Sequence, residues 1–389
     1  MPDALPVSPA ESTRRRYLLR ALSVMVIPLF LPLVARGQGA IDPARTYWGD
    51  LDAFFERQSE VALELAGDVL MRFPPRLPEP DLRPLAFSLL DAVLHEPEAP
   101  SRQAVQAFFH SFVMAAADEM ESTRPGRGAI VWKIYNHGFV VRTRSVTLAF
   151  DLVDGRSAGA EGFALPAELM RRIVQECDVL FISHVHGDHA DPGVAGLFLE
   201  QGKPVVGPPA APSDTLGTAG FAEAAGVPGA DSLQGAGGLQ ETSRYITLER
   251  RAHQFQNLPV RDGAVILEVV VYPGHQGDLE NNVILVRTPE GVSVCHTGDQ
   301  ARTEDFLWID EIAGQAEVDI LLPNCWTPEL QRLLQGMDPT VVITGHENEL
   351  GHSVDHREPF WLTYDRMYGS AWPLVLMSWG ESFHFIPDR

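Results

Sequence analysis

The stretch Ser183-His184-Val185-His186-Gly187-Asp188-His189-Ala190-Asp191 places three imidazoles and a carboxylate within the six residues 184–189. The apolar run Val179–Ser183 before it reads as a β-strand. His184 and His186 leave the end of that strand two residues apart, so both can point the same way. Gly187 permits a sharp turn, after which Asp188 and His189 can face the same space. A cluster of this composition suits zinc or another borderline divalent metal. The bland alternative is a solvated polar loop with chance histidines, and the scarcity of histidine, 13 in 389 residues, weighs against it.

Working outward from this motif, β-branched runs predict strands at Ile130–Tyr135, Phe139–Arg142 and Val146–Asp151, with the turn Asn136-His137-Gly138 between the first two. A helix is predicted from Pro166 to Gln175. Further strands are predicted at Pro204–Val206, Val265–Tyr272, Asn282–Arg287, Val292–His296, Ile320–Leu322 and Val341–Thr344. The Ala/Gly/Pro-rich stretch Gly207–Gly238 reads as loops around a short helix, Thr215 to Ala225. No internal repeat is visible.

His-x-His-x-Asp-His after a hydrophobic strand resembles the signature of the metallo-β-lactamase-fold hydrolase superfamily, over about residues 127–388. The resemblance implies an α/β fold, a four-layer αββα sandwich with metals at one edge, here preceded by a helical N-terminal layer. It also implies a later histidine, matched by Pro273-Gly274-His275. A bridging aspartate is matched by Asp299 in His296-Thr297-Gly298-Asp299, and a final histidine by Gly345-His346. Asp151, ending Leu148-Ala149-Phe150-Asp151, resembles an early aspartate that supports the histidine loop. Carried over, one metal is held by His184, His186 and His275, the other by Asp188, His189 and His346, with Asp299 shared. Asp188 and Asp299 are the residues assigned to catalysis. The implied cofactor is a pair of Zn²⁺ ions, with iron or manganese as alternatives, and the implied nucleophile is a bridging hydroxide.

Neighbouring residues compete for roles. His352 rivals His346 as last ligand, and the strand-end position favours His346. Glu347 and His352 then read as residues around the metal ligands, as substrate contacts or as surface polar groups. His296 reads as a core histidine, Cys295 as a buried inert thiol and His137 as a turn residue. Asn324 and Trp326 follow Ile320–Leu322 and serve the site or packing equally well.

The N-terminus carries Thr13-Arg14-Arg15-Arg16-Tyr17-Leu18 and then an apolar run from Ala21 to Ala35. This is the pattern of a secretory signal, 1–40, and the paired arginines resemble the twin-arginine export signal. The run is too short, and too interrupted by Pro28 and Pro32, for a membrane span of about 20 residues. The expected destination is the periplasm or the outside of the cell. Residues 41–125 read as a helical region, with helices over Leu51–Val69 and Leu82–Leu94 and a third capped by Ser101. His95 and His110 read as structural. Residues 126–389 form the expected hydrolase domain.

Composition narrows the function. Apolar residues are 45% of the chain, which excludes a disordered or fibrous polymer. A net charge of −22 opposes nucleic acid and anionic membranes as partners. Cys177, Cys295 and Cys325 cannot build a disulfide framework. The reading is an exported metal-dependent hydrolase of a small phosphodiester- or lactone-like substrate. Two other classes stay open, a mononuclear iron dioxygenase and a non-catalytic exported metal-binding protein.

Overall fold

The computed structural model describes residues 50–209 and 244–387. The signal segment and the helix expected at Thr215–Ala225 lie outside these residues. The chain divides into a unit ending at Phe55 and a unit Glu56–Arg389; of the first, only its last residues are among those described.

Among the described residues three helices come first: α1 (Leu51–Arg72), α2 (Arg83–Leu94) and α3 (Gln103–Ser122). Helix α3 starts later than the sequence suggested. Ser101 lies in a 3₁₀ turn, and Arg102 occupies the cap position without a side-chain cap bond. The described strands then build two sheets of seven. The first is ordered β14 (Ser382–Phe385), β1 (Ala129–Lys133), β2 (Phe139–Arg142), β3 (Thr147–Phe150), β4 (Val179–Phe181), β5 (Val205–Val206), β6 (Tyr245–Ile246). The second is ordered β13 (Leu374–Val375), β12 (Val341–Ile343), β11 (Ile320–Leu322), β10 (Ser293–His296), β9 (Leu279–Arg287), β8 (Val265–Gln276), β7 (Gln256–Val260). Both sheets repeat one pattern. From β14 to β3, and from β7 to β10, neighbours are antiparallel; from β3 to β6, and from β10 to β13, they are parallel. The symmetry is one of topology, without a matching repeat in sequence.

Strand alternation explains the layers. Val131, Val141, Leu148, Phe150 and Phe181 of the first sheet face Val269, Val271, Ile284, Val294 and Leu322 of the second, forming the core between the sheets. The alternate residues Ile130, Trp132, Val140, Ala149 and Leu180 pack instead against Leu63, Phe87, Leu90, Phe109 and Val113 of α1–α3 and against α4 (Ala167–Glu176) and α5 (Pro192–Glu200). On the far side, Val270, Leu285, Cys295, Leu321 and Val342 pack against α6 (Phe306–Ile309) and α7 (Leu330–Met337). Helix α8 (Phe360–Met367) contributes Phe360 to the first outer core and Met367 to the second. The result is the four-layer αββα sandwich. Residues of the helical region from Leu63 onward share one apolar core with the first sheet rather than closing a core of their own.

One strand boundary matters for function. Strand β8 does not end at Tyr272 but runs to Gln276 and pairs His275 with Glu280 of β9 across a tight hairpin. His275 therefore stands inside a hairpin arm. Among the described residues no helix is long and apolar enough to cross a membrane.

Candidate metal centre

Parallel strands of one sheet deliver their C-terminal ends to a common edge. Asp151 follows β3, Ser183 and His184 follow β4, Asp299 follows β10, Asn324 follows β11 and His346 follows β12. The two sheets meet there: the Asn282 N–H donates to the Ser183 carbonyl at 2.8 Å.

Asp151 is the hub beneath the cluster. It is fully buried, with a left-handed backbone at φ 42°. Its carboxylate accepts the Ser183 N–H at 2.7 Å, the Ser183 hydroxyl, and the His189 Nδ1–H at 2.8 Å. The Ser183 Oγ in turn lies 2.9 Å from His184 Nδ1. Both imidazoles are thus held through Nδ1, and their Nε2 atoms face the cavity, the arrangement that orients metal-ligating histidines. Burial pushes the Asp151 carboxyl up, and His296, His189 and His184 more than reverse it, so it is held ionised.

Asp299 enters from the opposite sheet. Gly298 takes φ 51°, and a Cβ there would stand 2.2 Å from Asn281 Oδ1 and 2.5 Å from Ser183 Cβ, so only glycine fits. The Asp299 N–H donates to Asn281 Oδ1 at 3.0 Å, Gln276 Nε2 donates to its Oδ2 at 2.9 Å, and Asn324 Nδ2 donates to its Oδ1. His346 arrives after Gly345, where a Cβ would meet His137 Cδ2 at 2.3 Å. Asp188 is oriented by Asn136, whose Nδ2 donates to its Oδ2 at 3.1 Å.

These side chains converge. His189 Nε2 lies 3.2 Å from Asp299 Oδ1 and 3.4 Å from Asp188 Oδ2; His346 Nε2 lies 3.3 Å from Asp188 Oδ2; His184 Nε2 lies 3.7 Å from Asp299 Oδ2. The Nε2 atoms of His189 and His346 are buried without a hydrogen-bond partner. A buried polar atom left unpaired is costly unless something else satisfies it. Here, facing two carboxylates, it fits a divalent cation. Burial raises the Asp299 and Asp188 carboxyls, but His189 and His346 bring both well below the usual range. Burial, with His189 adding to it, pushes the His184 imidazole down to about 3. Burial likewise pushes His189 and His346 down, and Asp299 and Asp188 pull both above their ordinary value. Ionised carboxylates beside imidazoles are a donor set that suits a divalent metal ion.

Two three-donor sets stand out, His184/His186/Asp299 and Asp188/His346/His352, each with its ligand atoms within 4.8 Å of one another. His275 belongs to no such group among the described residues. Its Nδ1 is fixed by Asp305 at 3.0 Å, while its neighbour Gln276 reaches Asp299.

Of the neighbouring residues, His296, His137 and Cys295 stand as expected and Glu347 does not. His296 is a saturated core residue: its Nε2–H donates to the His137 carbonyl at 3.0 Å, and its Nδ1 accepts the Gly298 N–H at 3.1 Å. His137 is in the turn as expected but fully buried, with its ring centroid 4.1 Å from that of His296. Glu347 is neither a surface residue nor a substrate contact. It is buried in an ion pair with Lys133 at 2.6 Å and accepts from Thr363. Cys295 faces the outer helices, and burial pushes its thiol up to about 12. Trp326 borders His346, with ring centroids 5.9 Å apart. Sequence reading missed Asn136, Gln276, Asn281 and Asp305, because single amides and carboxylates outside a motif carry no signal of their own. A groove of about 910 Å³ lies at the other end of the sandwich among Arg144, Arg287 and Glu290 and contains none of the converging groups.

The αββα sandwich with this histidine–aspartate edge is the architecture that the sequence resemblance implied. No protein-family model and no curated protein matches the chain. Among solved structures it is similar to a metallo hydrolase from Ignicoccus hospitalis, at 13% identity and a TM-score of 0.46, covering 66% of this chain and 99% of that one. It is similar to a diiron β-hydroxylase from Streptomyces venezuelae at 14% identity and a TM-score of 0.45, covering 68% of this chain and 55% of that one. A metallo-β-lactamase-superfamily protein from Thermotoga maritima is similar at 16% identity and a TM-score of 0.29, covering 56% and 76%. Likenesses this distant carry no information about substrate.

Proposed function

We propose that this chain is an exported metal-dependent hydrolase that holds two zinc ions and cleaves a small ester-like substrate, a phosphodiester or a lactone. The observation that carries this reading is the convergence of His184, His186, Asp188, His189, Asp299 and His346 on one sandwich edge, with two buried imidazole nitrogens unpartnered. In the proposed arrangement His184, His186 and His275 would hold one ion and Asp188, His189 and His346 the other, with Asp299 available to both. A bound ion pair supplies Lewis acidity and a water nucleophile of lowered pKa. The residues do the rest. Asp151 and Ser183 fix the orientation of His189 and His184, Asn136 and Gln276 aim the two carboxylates, and Trp326 walls the space beside His346. Four metal charges against two ligand carboxylates leave a locally positive centre that attracts an anionic or anion-forming group. The net charge of −22 opposes long polyanions, which favours a small substrate over nucleic acid.

Metal analysis joined to a substrate panel tests this. About two zinc ions per chain, with turnover of a small phosphodiester or lactone, is the expected result. One iron per chain with oxygen-dependent activity, or rapid cleavage of single-stranded nucleic acid at low salt, overturns it. Export is tested separately: Arg14→Lys with Arg15→Lys retains the precursor in the cytoplasm if the paired arginines are read, and normal export of that variant refutes the twin-arginine route.

A further inference from the structure

The loop after β12 turns back on itself within six residues and brings a second histidine to the site. His346 and Asn348 both adopt left-handed backbone conformations, at φ 76° and φ 52°. Two such residues so close together are strained and persist only where the surroundings impose them. The surroundings here are explicit. Asn348 Nδ2 donates to Asp91 of α2 at 2.8 Å, and Asn348 Oδ1 lies 2.9 Å from His95 Nδ1. The His352 N–H closes a turn onto the Glu349 carbonyl at 3.2 Å. Arg357 then clamps the loop, donating to the carbonyls of His352 at 2.8 Å and Leu350 at 3.0 Å. The same guanidinium reaches the Leu94 and Glu96 carbonyls, both at 3.0 Å. The outcome is that His352 lies beside His346, ring centroids 5.2 Å apart, with ligand atoms of both within 4.8 Å of a carboxylate oxygen of Asp188.

We propose that His352 is itself a ligand of the second metal position, so that the loop contributes two imidazoles rather than one. This rests on the metal-hydrolase reading above and adds a donor to it. The second position then draws on Asp188, His189, His346 and His352 in addition to the shared Asp299. The first draws on His184, His186, His275 and Asp299, one donor fewer, and is the more open of the two. The pair is chemically unequal: a position rich in protein donors holds its ion as structure, and an open one leaves room for water and substrate.

The test uses the full-length mature protein, Zn²⁺ alone as titrant against a chromophoric chelator, and Co²⁺ as a spectroscopic probe of coordination. His352→Ala is expected to weaken one of the two ions by about 10-fold or more, the scale on which even outer partners of a ligand act. The other constant stays unchanged, and the Co²⁺ visible bands of the affected position change. His356→Ala, an exposed neighbour in the same loop, is expected to change neither. Melting of the metal-free protein verifies that His352→Ala remains folded. Two ions bound unchanged in His352→Ala, with an unaltered Co²⁺ spectrum, overturn the assignment while leaving the hydrolase reading intact, as does equal weakening in His356→Ala. Wild-type protein that binds no metal overturns the hydrolase reading, and this inference with it.

Discussion

Replacing Asp91 by alanine tests whether the helical layer holds the loop that carries His346 and His352. Asp91 sits on α2, 8% exposed, and accepts three donors from beyond the sandwich edge. These are Asn348 Nδ2 at 2.8 Å, the Phe360 N–H at 2.8 Å and the Trp361 N–H at 3.1 Å. Truncation leaves all three without their acceptor, at about 1–3 kcal/mol for each donor that stays dry. Two effects reduce the sum. Trp361 is largely exposed, so water can reach its N–H. Burial also pushes the Asp91 carboxyl above its ordinary value, so removing the group relieves a desolvation cost. A net loss of about 2–5 kcal/mol remains, equivalent to a fall in melting temperature of roughly 4–10 °C at about 2 °C per kcal/mol for a large domain. Asp91→Asn keeps one acceptor oxygen and the side-chain volume and is expected to lose about half as much. Thermal unfolding followed by circular dichroism reads the difference. A melting temperature for Asp91→Ala within 1 °C of wild type would falsify the view that α2 braces the loop.

Three further tests reach other parts of the molecule. His184→Ala or His186→Ala is expected to lower bound metal and hydrolytic rate by orders of magnitude; retention of both by both variants removes the ligand assignment, and the same measurement on His275→Ala decides whether the residue on the β8–β9 hairpin ligates. At Asp154, burial raises the carboxyl but hydrogen bonds from Arg156, at 2.9 Å from its N–H and 3.0 Å from Nε, bring it below the ordinary value. A depressed carboxylate stabilises the fold above its unfolded pKa of about 3.9 and loses that contribution as pH falls through the lower folded value. Asp154→Asn is therefore expected to be less stable than wild type at neutral pH and to converge with it in acid, and a gap that widens on acidification contradicts the sign. Burial raises the thiols of Cys177 and Cys295 to about 12 and that of Cys325 well above its ordinary range, so thiol reagents should label none of the three in the native protein and all three after denaturation. Rapid native labelling would show an exposed thiolate.

The motif around His184 carried most of its meaning locally. A strand, a glycine turn and histidines two residues apart fix which side chains can point together, and these are short-range properties of the chain. The same holds for His346 and Asp299, each placed by the strand that precedes it. The layers were legible for a related reason: strands buried on both faces read as continuous apolar runs. The regions the sequence left blank are short or irregular. β13 is two residues long, and β7, Gln256–Val260, contains a proline. Neither carries a periodic signal.

What the sequence alone determined was therefore which histidines and aspartates can gather and the edge to which they belong. What only the tertiary structure decided was how these side chains are held. Glu347 reads as a polar neighbour of His346 until Lys133, 214 positions earlier, is seen against it in the core. Asn348 and Asp91 are 257 residues apart and meet only because α2 packs beside the loop after β12. His275 looks like the residue just past its strand until β8 is found to continue into its hairpin with β9. Pairings of this kind depend on how sheets and helices stack, and a linear pattern of residue types holds no information about a partner hundreds of residues away.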